Sequence, residues 1–295
     1  MNILVSGASG LVGSRLLKQL EKDGHKTQRL SRNKSSDAYW DSATYQVTPS
    51  AALDDLDAVI HLAGESIVGR WTAGKKERIF QSRVQSTTAL AQALAARQEK
   101  PDVFIVASAI GYYGDRGEET LTEKSIAGEG FLSEVCKAWE AAADPARAAG
   151  IRVVHLRFGM LLSPAGGALK TMLTPFKLGL GGRIGSGAQY VSWASLTDAV
   201  GSITHALNNT SIEGPINVVS PNPCTNIELT QALGAALSRP TVFPVPPFAA
   251  RMVFGEMADA LLLASQRVHP EKLSENGYQF QHIDIAETLK TLLSE

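Results

Sequence analysis

The sequence predicts an α/β protein with a doubly wound parallel sheet and a small, mainly helical C-terminal lobe. Strand-like apolar runs alternate with helix-like segments through the first half of the chain, a pattern that builds right-handed βαβ units with parallel strands. The regularity ends near Phe158, and prolines at 240–247 mark a linker before the last helices. We expect a sheet domain over residues 1–220, a C-terminal domain over residues 245–293, and loops at about 160–190 that contribute to the second lobe.

The hydrophobic pattern places each element. The first run, Asn2–Ser6, is typical of a strand buried on both faces, and the leucines after it keep helical spacing up to Gly24, a typical helix end. One helix begins near Ser195, because residues 195–198 resemble a capping box. Further strands are predicted over residues 25–31, 57–62, 103–108, 151–158 and 215–220. Further helices are predicted over residues 75–96, 132–149, 226–237, 248–264 and 283–293.

The composition excludes several classes of protein. Lysine and arginine number 28 against 29 aspartates and glutamates, so the net charge of −1 gives no support for a nucleic-acid partner. No apolar run approaches the ~20 residues that cross a bilayer, and the N-terminus lacks the basic region of a signal peptide. Cys136 and Cys224 have neither CxxC spacing nor a disulfide framework, and the histidines form no metal-binding motif. We expect a cytoplasmic protein with a small-molecule substrate, no metal, and no membrane partner.

A glycine-rich turn stands between the first strand and the first helix, which is the context that phosphate binding requires. Gly7 permits a tight turn, Gly10 lets the backbone approach a pyrophosphate, and Gly13 lets helix and strand pack closely. The helix N-terminus directs free N–H groups at the phosphates. The alternative is an ordinary glycine-rich turn. We expect a Rossmann-type dinucleotide site, with further contacts from Ser9, Leu11 and Val12.

The end of the second strand indicates which dinucleotide binds. An acidic residue about 20 positions after the glycine turn would hold the ribose 2′-hydroxyl of NAD, but this position reads Ser31 and Arg32. A guanidinium forms two hydrogen bonds to a 2′-phosphate, and a serine adds a third. The alternative is a solvated basic loop. The sequence therefore predicts NADP(H) as the cofactor.

Longer stretches resemble a known family. The GxxGxxG turn, with residues 60–64 and 107–115, resembles the extended branch of the short-chain dehydrogenase/reductase superfamily. An atypical subgroup, the YfcH-type proteins of the NAD-dependent epimerase/dehydratase family, is similar over essentially the whole chain, including a short C-terminal domain of unknown function. The stretches that carry this similarity are residues 62–65, 70–72, 82–84, 178–187 and 255–258.

The resemblance implies further cofactor contacts. The end of the fourth strand should line the adenosine side of the site, and charged residues on the following helix and at the end of the sixth strand should reach the cofactor. For the charged residues, a surface or structural ion pair is the alternative. The residues concerned are His61, Leu62, Ala63, Gly64, Glu77, Arg83 and Arg157.

The catalytic pair that the superfamily usually carries is missing. Its members place a Tyr, and a Lys four residues later, on the helix after the fifth strand, where the Lys lowers the pKa of the phenol. If Lys137 takes the Lys position, Ser133 stands where the Tyr belongs; if Glu140 sets the register, the pair becomes Leu132 and Cys136. In neither register does a Tyr stand four residues before a Lys.

Ser108 and Tyr113 remain as candidate catalytic residues. Both follow the fifth strand, and Tyr113 offers a phenol from the loop, although packing of Tyr112 and Tyr113 over the pocket is the alternative. Two functions follow. The first is an NADP-dependent oxidoreductase or epimerase acting on a small polar or nucleotide-sugar-like substrate. The second is a catalytically silent NADP(H)-binding sensor or regulatory module, which the missing pair favours.

Overall fold

The computed structural model describes residues 1–34, 36–41 and 44–294. The strands are β1 (Asn2–Ser6), β2 (Lys26–Ser31), β3 (Ala38–Trp40), β4 (Val47–Thr48), β5 (Ala58–His61), β6 (Val103–Ala109), β7 (Thr120–Leu121), β8 (Arg152–Phe158), β9 (Met160–Leu162), β10 (Tyr190–Val191), β11 (Trp193–Ser195), β12 (Gly214–Val218), β13 (Cys224–Thr225) and β14 (Arg267–Val268). The helices are α1 (Leu11–Lys22), α2 (Ala73–Ala95), α3 (Phe131–Ala141), α4 (Asp144–Ala148), α5 (Gly167–Lys177), α6 (Leu196–Asn208), α7 (Asn226–Ala236), α8 (Pro247–Phe254), α9 (Glu271–Glu275) and α10 (Ile285–Ser294).

Eight strands form the main sheet, in the order β12-β8-β6-β5-β1-β2-β3-β4. Every neighbouring pair is parallel except β3 and β4, which are antiparallel. The predicted doubly wound parallel sheet is confirmed. The sequence did not predict β3 and β4 because strands of three and two residues are too short to show a hydrophobic period.

Helices cover both faces of this sheet. On one face α1 and α6 bury side chains such as Leu16 and Ile203 against the strands. On the other face α2, α3 and α4 bury Leu90, Trp139 and Ala146. Each large apolar side chain buried in this way contributes about 1.5–3 kcal/mol. The sheet is therefore held rigidly between two helical layers, and its carboxyl edge is a fixed platform for a site.

We refer to the carboxyl edge of β1, β2, β5 and β6 as the crevice, because the strand order reverses there. In the sheet, β2 lies on one side of β1, and β5 lies on the other side of β1. The chain after β1 enters α1 on one face of the sheet, and the chain after β5 leads to α2 on the other face. Ligands of open α/β sheets bind where neighbouring strands lead to opposite faces in this way. Gly7 permits the close approach of the two segments: it has φ +69°, and an added Cβ would lie 2.7 Å from the carbonyl carbon of Leu62.

The C-terminal lobe has its own core. Helices α5, α7 and α10 pack together through Leu173, Leu233 and Leu289. The lobe is attached to the sheet domain where β14 pairs with β7. The Gln266 side chain adds two hydrogen bonds, at 3.0 and 2.9 Å, to main-chain carbonyls in the loop after β6. The small, mainly helical lobe predicted from the sequence is thus confirmed, and it borders the crevice.

Two predicted helices differ from the observed ones, and the observed helix α5 was not predicted. The helix expected over 132–149 is two helices, α3 and α4, and Pro145 in the first turn of α4 has no N–H with which to continue α3. The helix expected over 248–264 ends at Phe254 because Gly255 adopts φ +61°, and a π-helical turn, Ala258–Leu263, follows. Helix α5 lies between glycine-rich loops and contains Pro175, which hid it from the sequence pattern.

Candidate functional site

The glycine turn forms the floor of the crevice. The Gly10 N–H donates to the Gly7 carbonyl at 2.9 Å, and α1 begins at the next residue. No side chain caps α1 and no acidic residue lies in its first turn, so the free N–H groups and the positive end of the helix dipole are left for an anion. Ser9 and Gly10 are exposed, whereas Leu11 and Val12 are half-buried. The turn therefore has the donors and the open approach that a pyrophosphate requires.

Gly13 has a different task from Gly10. A Cβ on Gly13 would lie 2.3 Å from the Gly7 carbonyl oxygen, so this glycine lets α1 pack against the turn. A Cβ on Gly10 would lie 3.2 Å from the same oxygen, with nothing else within 4 Å in the described part of the chain. Gly10 thus leaves space on the crevice side, and Gly13 leaves space inside the fold.

Ser31 and Arg32 lie beside the glycine turn, because β2 pairs with β1 in a register that sets Leu30 opposite Ser6. The Ser31 hydroxyl accepts a hydrogen bond from the Asn33 N–H at 2.9 Å. Arg32 is exposed, and among residues 1–34, 36–41 and 44–294 it forms no ion pair. Its guanidinium is free to pair with an anion at the β2 end of the crevice.

His61 lies beneath the crevice rather than in it. Its ring is fully buried, bonds to the Ser6 hydroxyl at 2.6 Å and the Ser86 hydroxyl at 3.1 Å, and packs edge-on against Trp40. Burial lowers the pKa of His61 from 6.5 to about 3, so the imidazole is neutral. The side chain therefore supports the site from below.

The next three residues line the crevice. Leu62 and Ala63 are half-buried and Gly64 is exposed. Gly64 borders a cation: a Cβ there would lie 3.3 Å from both Cζ and Nη2 of Arg83 on α2. This segment therefore presents backbone groups and apolar side chains to the crevice, with Arg83 beside Gly64.

Of the two charged residues predicted on α2, the structure brings only Arg83 to the crevice. Arg83 is half-buried, its Nη1 donates to the Ile79 carbonyl at 3.1 Å, and its guanidinium lies 5.0 Å from the centre of the Trp139 ring. Glu77 is exposed and accepts a hydrogen bond from Gln81 on the helix surface. For Glu77 the surface alternative fits the geometry better.

Both registers considered for the catalytic helix reach the loop after β6, and in the first of them Ser133 is buried and donates to the Tyr112 carbonyl at 2.8 Å. A Cβ on Gly111, in the loop after β6, would lie 3.2 Å from Cβ of Leu132 and 3.9 Å from Sγ of Cys136, so these two residues face the loop. Lys137 is exposed and points away. Burial raises the pKa of the Cys136 thiol to about 12. The positions that face the loop carry a leucine, a serine and an un-ionised thiol, and none of these groups exchanges protons near pH 7.

Both residues predicted to be catalytic, Ser108 and Tyr113, are buried and already hydrogen-bonded. Ser108 is 3% exposed and donates to Glu140 Oε1 at 2.8 Å. Tyr113 is fully buried, donates to Asn217 Oδ1 at 2.7 Å and accepts from Arg157 at 3.0 Å. Burial raises the pKa of Tyr113 to about 12. A substrate in the crevice reaches neither hydroxyl in this arrangement.

Arg157, predicted to contact the cofactor, is the centre of that buried network. Its guanidinium is 3% exposed, donates twice to the Glu140 carboxylate, and lies 3.5 Å from the centre of the Tyr112 ring. Burial alone would raise the pKa of Glu140, but the hydrogen bonds and charge of Arg157 outweigh it and hold that pKa below its usual range. The network is a charged clamp between α3, β8 and the loop after β6.

The sequence pattern did not reveal Glu140 and Asn217 as members of this clamp. Asn217 lies 104 positions from Tyr113 in the chain, and no motif links residues so far apart. The only sequence signal for Glu140 was that a charged residue stands on an otherwise apolar helix face.

Among the described residues, no group of three or more His, Cys, Asp or Glu side chains is placed to hold a metal ion. None of the helices in the described ranges is long and apolar enough to cross a membrane.

The reversal of strand order, the uncapped helix and the glycine turn define a Rossmann-type nucleotide-binding fold. The chain belongs to the NAD dependent epimerase/dehydratase family, whose sequence profile matches residues 3–219. A second profile, a domain of unknown function (DUF1731), matches residues 245–292. The resemblance recognised from the sequence is confirmed.

Relatives match along the full chain. An epimerase family protein of Mycobacterium bovis is 41% identical over 291 residues, which cover 97% of this chain and 96% of the relative. The crystal structure of human epimerase family protein SDR39U1 (isoform 2) with NADPH has a TM-score of 0.91 and 33% identity and covers 100% of both chains. A nucleoside-diphosphate sugar epimerase from Corynebacterium glutamicum has a TM-score of 0.83 and 35% identity and covers 100% of this chain and 59% of that one.

Proposed function

We propose that this protein binds NADP(H) in the crevice. The observation that carries the proposal is the convergence of three anion-binding features at one sheet edge: the uncapped N-terminus of α1, the exposed Arg32 at the end of β2, and Arg83 beside Gly64 at the end of β5. The relative crystallised with NADPH supports the same cofactor. When bound, this cofactor supplies hydride chemistry, and the chain supplies binding and orientation.

The preference for NADP(H) over NAD(H) rests on Arg32. A guanidinium at the β2 end would pair with a 2′-phosphate, and Glu65, the nearby carboxylate whose charge interacts with Arg32, is already bonded to Lys75 at 2.8 Å. Ser31 adds a hydroxyl beside it. A positive charge and a hydroxyl at this position are expected of a site that binds the 2′-phosphate rather than repelling it.

The reaction that fits this family is oxidoreduction or epimerisation of a small polar or nucleotide-sugar-like substrate. The nucleoside-diphosphate sugar epimerase among the relatives supports this substrate class. The C-terminal lobe, which reaches the loop after β6 through Gln266, gives such a substrate a second wall. Oxidation of a substrate hydroxyl releases its proton. Because Ser108 and Tyr113 are enclosed, that proton would have to pass to water or to another group of the substrate.

A catalytically silent NADP(H)-binding module is the second candidate. The observation that favours it is the pair Leu132 and Cys136, which face the loop after β6 without a titrating group near pH 7. A protein with this centre would hold the dinucleotide and report its presence to a partner.

A crystal structure of the protein with NADPH tests the proposed site. We expect density for the cofactor along the crevice, with the pyrophosphate over Gly10; density elsewhere contradicts the proposal. The two candidate functions are separated by following NADPH absorbance against a panel of sugar nucleotides and small carbonyl compounds, with an assay for epimerised products. Turnover of any member favours the enzyme, and tight binding without turnover favours the module.

A further inference from the structure

The C-terminal lobe turns a group of large apolar side chains toward solvent. On α8, Ala250 is buried, whereas Phe248 and Met252, which are four residues apart and share the opposite side of the helix, are exposed. Further exposed apolar residues stand shortly before α8 and directly after α5. We call this group the apolar face; its side chains, each 56–70% exposed, are those of Leu178, Val242, Phe243, Phe248, Met252 and Val253.

Backbone contacts bring these segments together. The Val245 N–H donates to the Arg183 carbonyl at 2.8 Å, and the Gly185 N–H donates to the Val245 carbonyl at 2.9 Å. Pro247, the first residue of α8, lies against Gly185, because a Cβ on that glycine would be 3.5 Å from the proline ring. The apolar face is therefore carried by adjoining segments, and a cluster of exposed apolar side chains marks an interaction site, whereas single ones do not.

A cavity of about 130 Å³ opens beside this face. Val242, Pro244 and Ile227 of α7 supply its apolar lining, and three uncharged polar residues lie beside them. Of the residues that the structure describes, Arg183 is the one charged residue in the lining. A cavity of about 150 Å³ holds a benzene ring, so this one suits a single apolar side chain that has an anion next to it.

The charge around the apolar face is positive. Lys177, Arg183 and Arg239 lie on or directly beside the same segments, and within residues 1–34, 36–41 and 44–294 none of the three forms an ion pair. The two carboxylates that follow α8, Glu256 and Asp259, are each already paired with a cation. A chain with a net charge of −1 thus carries an uncompensated positive patch here, which favours an acidic partner.

We propose that the apolar face and its cavity dock an acidic segment of a partner protein, which places one apolar side chain in the cavity and carboxylates beside Lys177, Arg183 and Arg239. A buried anchor and charge-assisted hydrogen bonds are the contacts that contribute most to such interfaces. A second copy in a two-fold symmetric contact would set these cations against themselves, and a flat lipid surface would leave the cavity empty. This docking surface goes beyond the proposed function and does not depend on a bound dinucleotide.

Selection from a random peptide library displayed on phage, with the full chain as bait, tests the proposal. We expect the enriched sequences to share an apolar residue flanked by Asp or Glu. The most enriched peptide is then synthesised, and its affinity is measured by fluorescence anisotropy. Val242→Asp, which puts a carboxylate at the cavity, should weaken binding by at least roughly 10-fold. Added salt should weaken binding to the wild type as well.

Two further variants and a control locate the binding. Met252→Ser tests the helix side without adding a charge, and Lys177→Glu combined with Arg239→Glu tests the cations; both should reduce the affinity. Ile126→Ser is the matched control, because Ile126 is 75% exposed but lies before α3, outside the lobe; it should leave the affinity unchanged. The melting temperature and the NADPH affinity of every variant should stay near the wild-type values.

No enrichment, enrichment of sequences without acidic residues, or equal binding by the wild type and Val242→Asp would overturn the proposal. Self-association of the wild type in sedimentation, abolished by Val242→Asp, would overturn it in favour of a second copy. Binding of the wild type to phosphatidylglycerol vesicles, abolished by the same variant, would overturn it in favour of a lipid surface. A wild-type protein that binds the acidic peptide but not NADPH would overturn the proposed function and support this inference.

Discussion

Arg157 donates two hydrogen bonds to the Glu140 carboxylate, both at 2.8 Å, and the arginine side chain is 3% exposed. The pair joins β8 to α3 directly beneath the loop that follows β6. Tyr113, Ser108 and the ring of Tyr112 all contact its members. Ser108 and Tyr113, the two residues predicted to be catalytic, are thus both hydrogen-bonded to this buried pair.

Replacement of Arg157 by methionine should destabilise the protein severely. It leaves the Glu140 carboxylate buried without a charged partner, which typically costs about 3–5 kcal/mol. The free energy of unfolding in urea measures the loss. The double variant Arg157→Met with Glu140→Leu should recover most of it, and Arg116→Met, which breaks the ion pair with the half-exposed Glu119, should cost no more than about 1 kcal/mol. A loss for Arg157→Met no larger than for Arg116→Met would contradict the clamp.

Replacement of Tyr113 by phenylalanine should affect stability rather than cofactor binding. The hydroxyl is buried between Asn217 and Arg157, so its removal leaves both partners short of a hydrogen bond, at a cost of about 1–3 kcal/mol. NADPH affinity, measured by calorimetry, should stay at the wild-type value. If turnover is found and Tyr113→Phe lowers kcat with no change in stability, the phenol acts in the reaction and the buried role is wrong.

Two buried histidines of the described chain, His61 and His155, make stability depend on pH, and the pKa of His61 is lowered further. His61 has a folded pKa of about 3 against an ordinary value of 6.5, so below pH 6.5 the unfolded chain binds a proton that the folded chain does not. Its contribution is complete above pH 6.5 and is lost as the pH falls toward 3, by up to about 1.4 kcal/mol per pH unit. Urea unfolding at pH 7, 6 and 5 measures this slope. His61→Asn should show a shallower slope, and equal slopes would exclude the effect.

Two glycines of the same turn should respond differently to the same change. Gly10→Val places its side chain on the crevice side, where a pyrophosphate would bind, so NADPH affinity should be lost while the melting temperature stays near the wild-type value. Gly13→Val places its Cβ 2.3 Å from the Gly7 carbonyl oxygen, so the fold itself should be destabilised. Gly10→Val that melts normally and still binds NADPH would show that the turn is purely structural.

The local parts of the fold were accessible from the sequence. The first βα unit has a short apolar strand, glycines at a fixed spacing and leucines at helical spacing, all within 22 residues. The helix start at Ser195 was equally local: its hydroxyl accepts the Asp198 N–H at 3.0 Å. Short-range chemistry decides such features.

The functional assignment of side chains was not accessible in the same way. Tyr113 is enclosed by Asn217, 104 residues away, and His61 by Ser86 and Trp40 on other elements. The register of α3 depends on how that helix is rotated against Gly111, which no local pattern encodes. Long-range packing decides whether a polar residue faces a ligand or the core.

The central claim is that the crevice binds NADP(H) with the 2′-phosphate at Arg32. Calorimetric titration of the wild type and of Arg32→Ala with NADPH and NADH tests it most directly. One charge-assisted contact predicts that the wild type prefers NADPH by about 10- to 150-fold, and that Arg32→Ala loses this preference but keeps its affinity for NADH. Equal affinities for the two cofactors in the wild type, or no binding of either, would contradict the account.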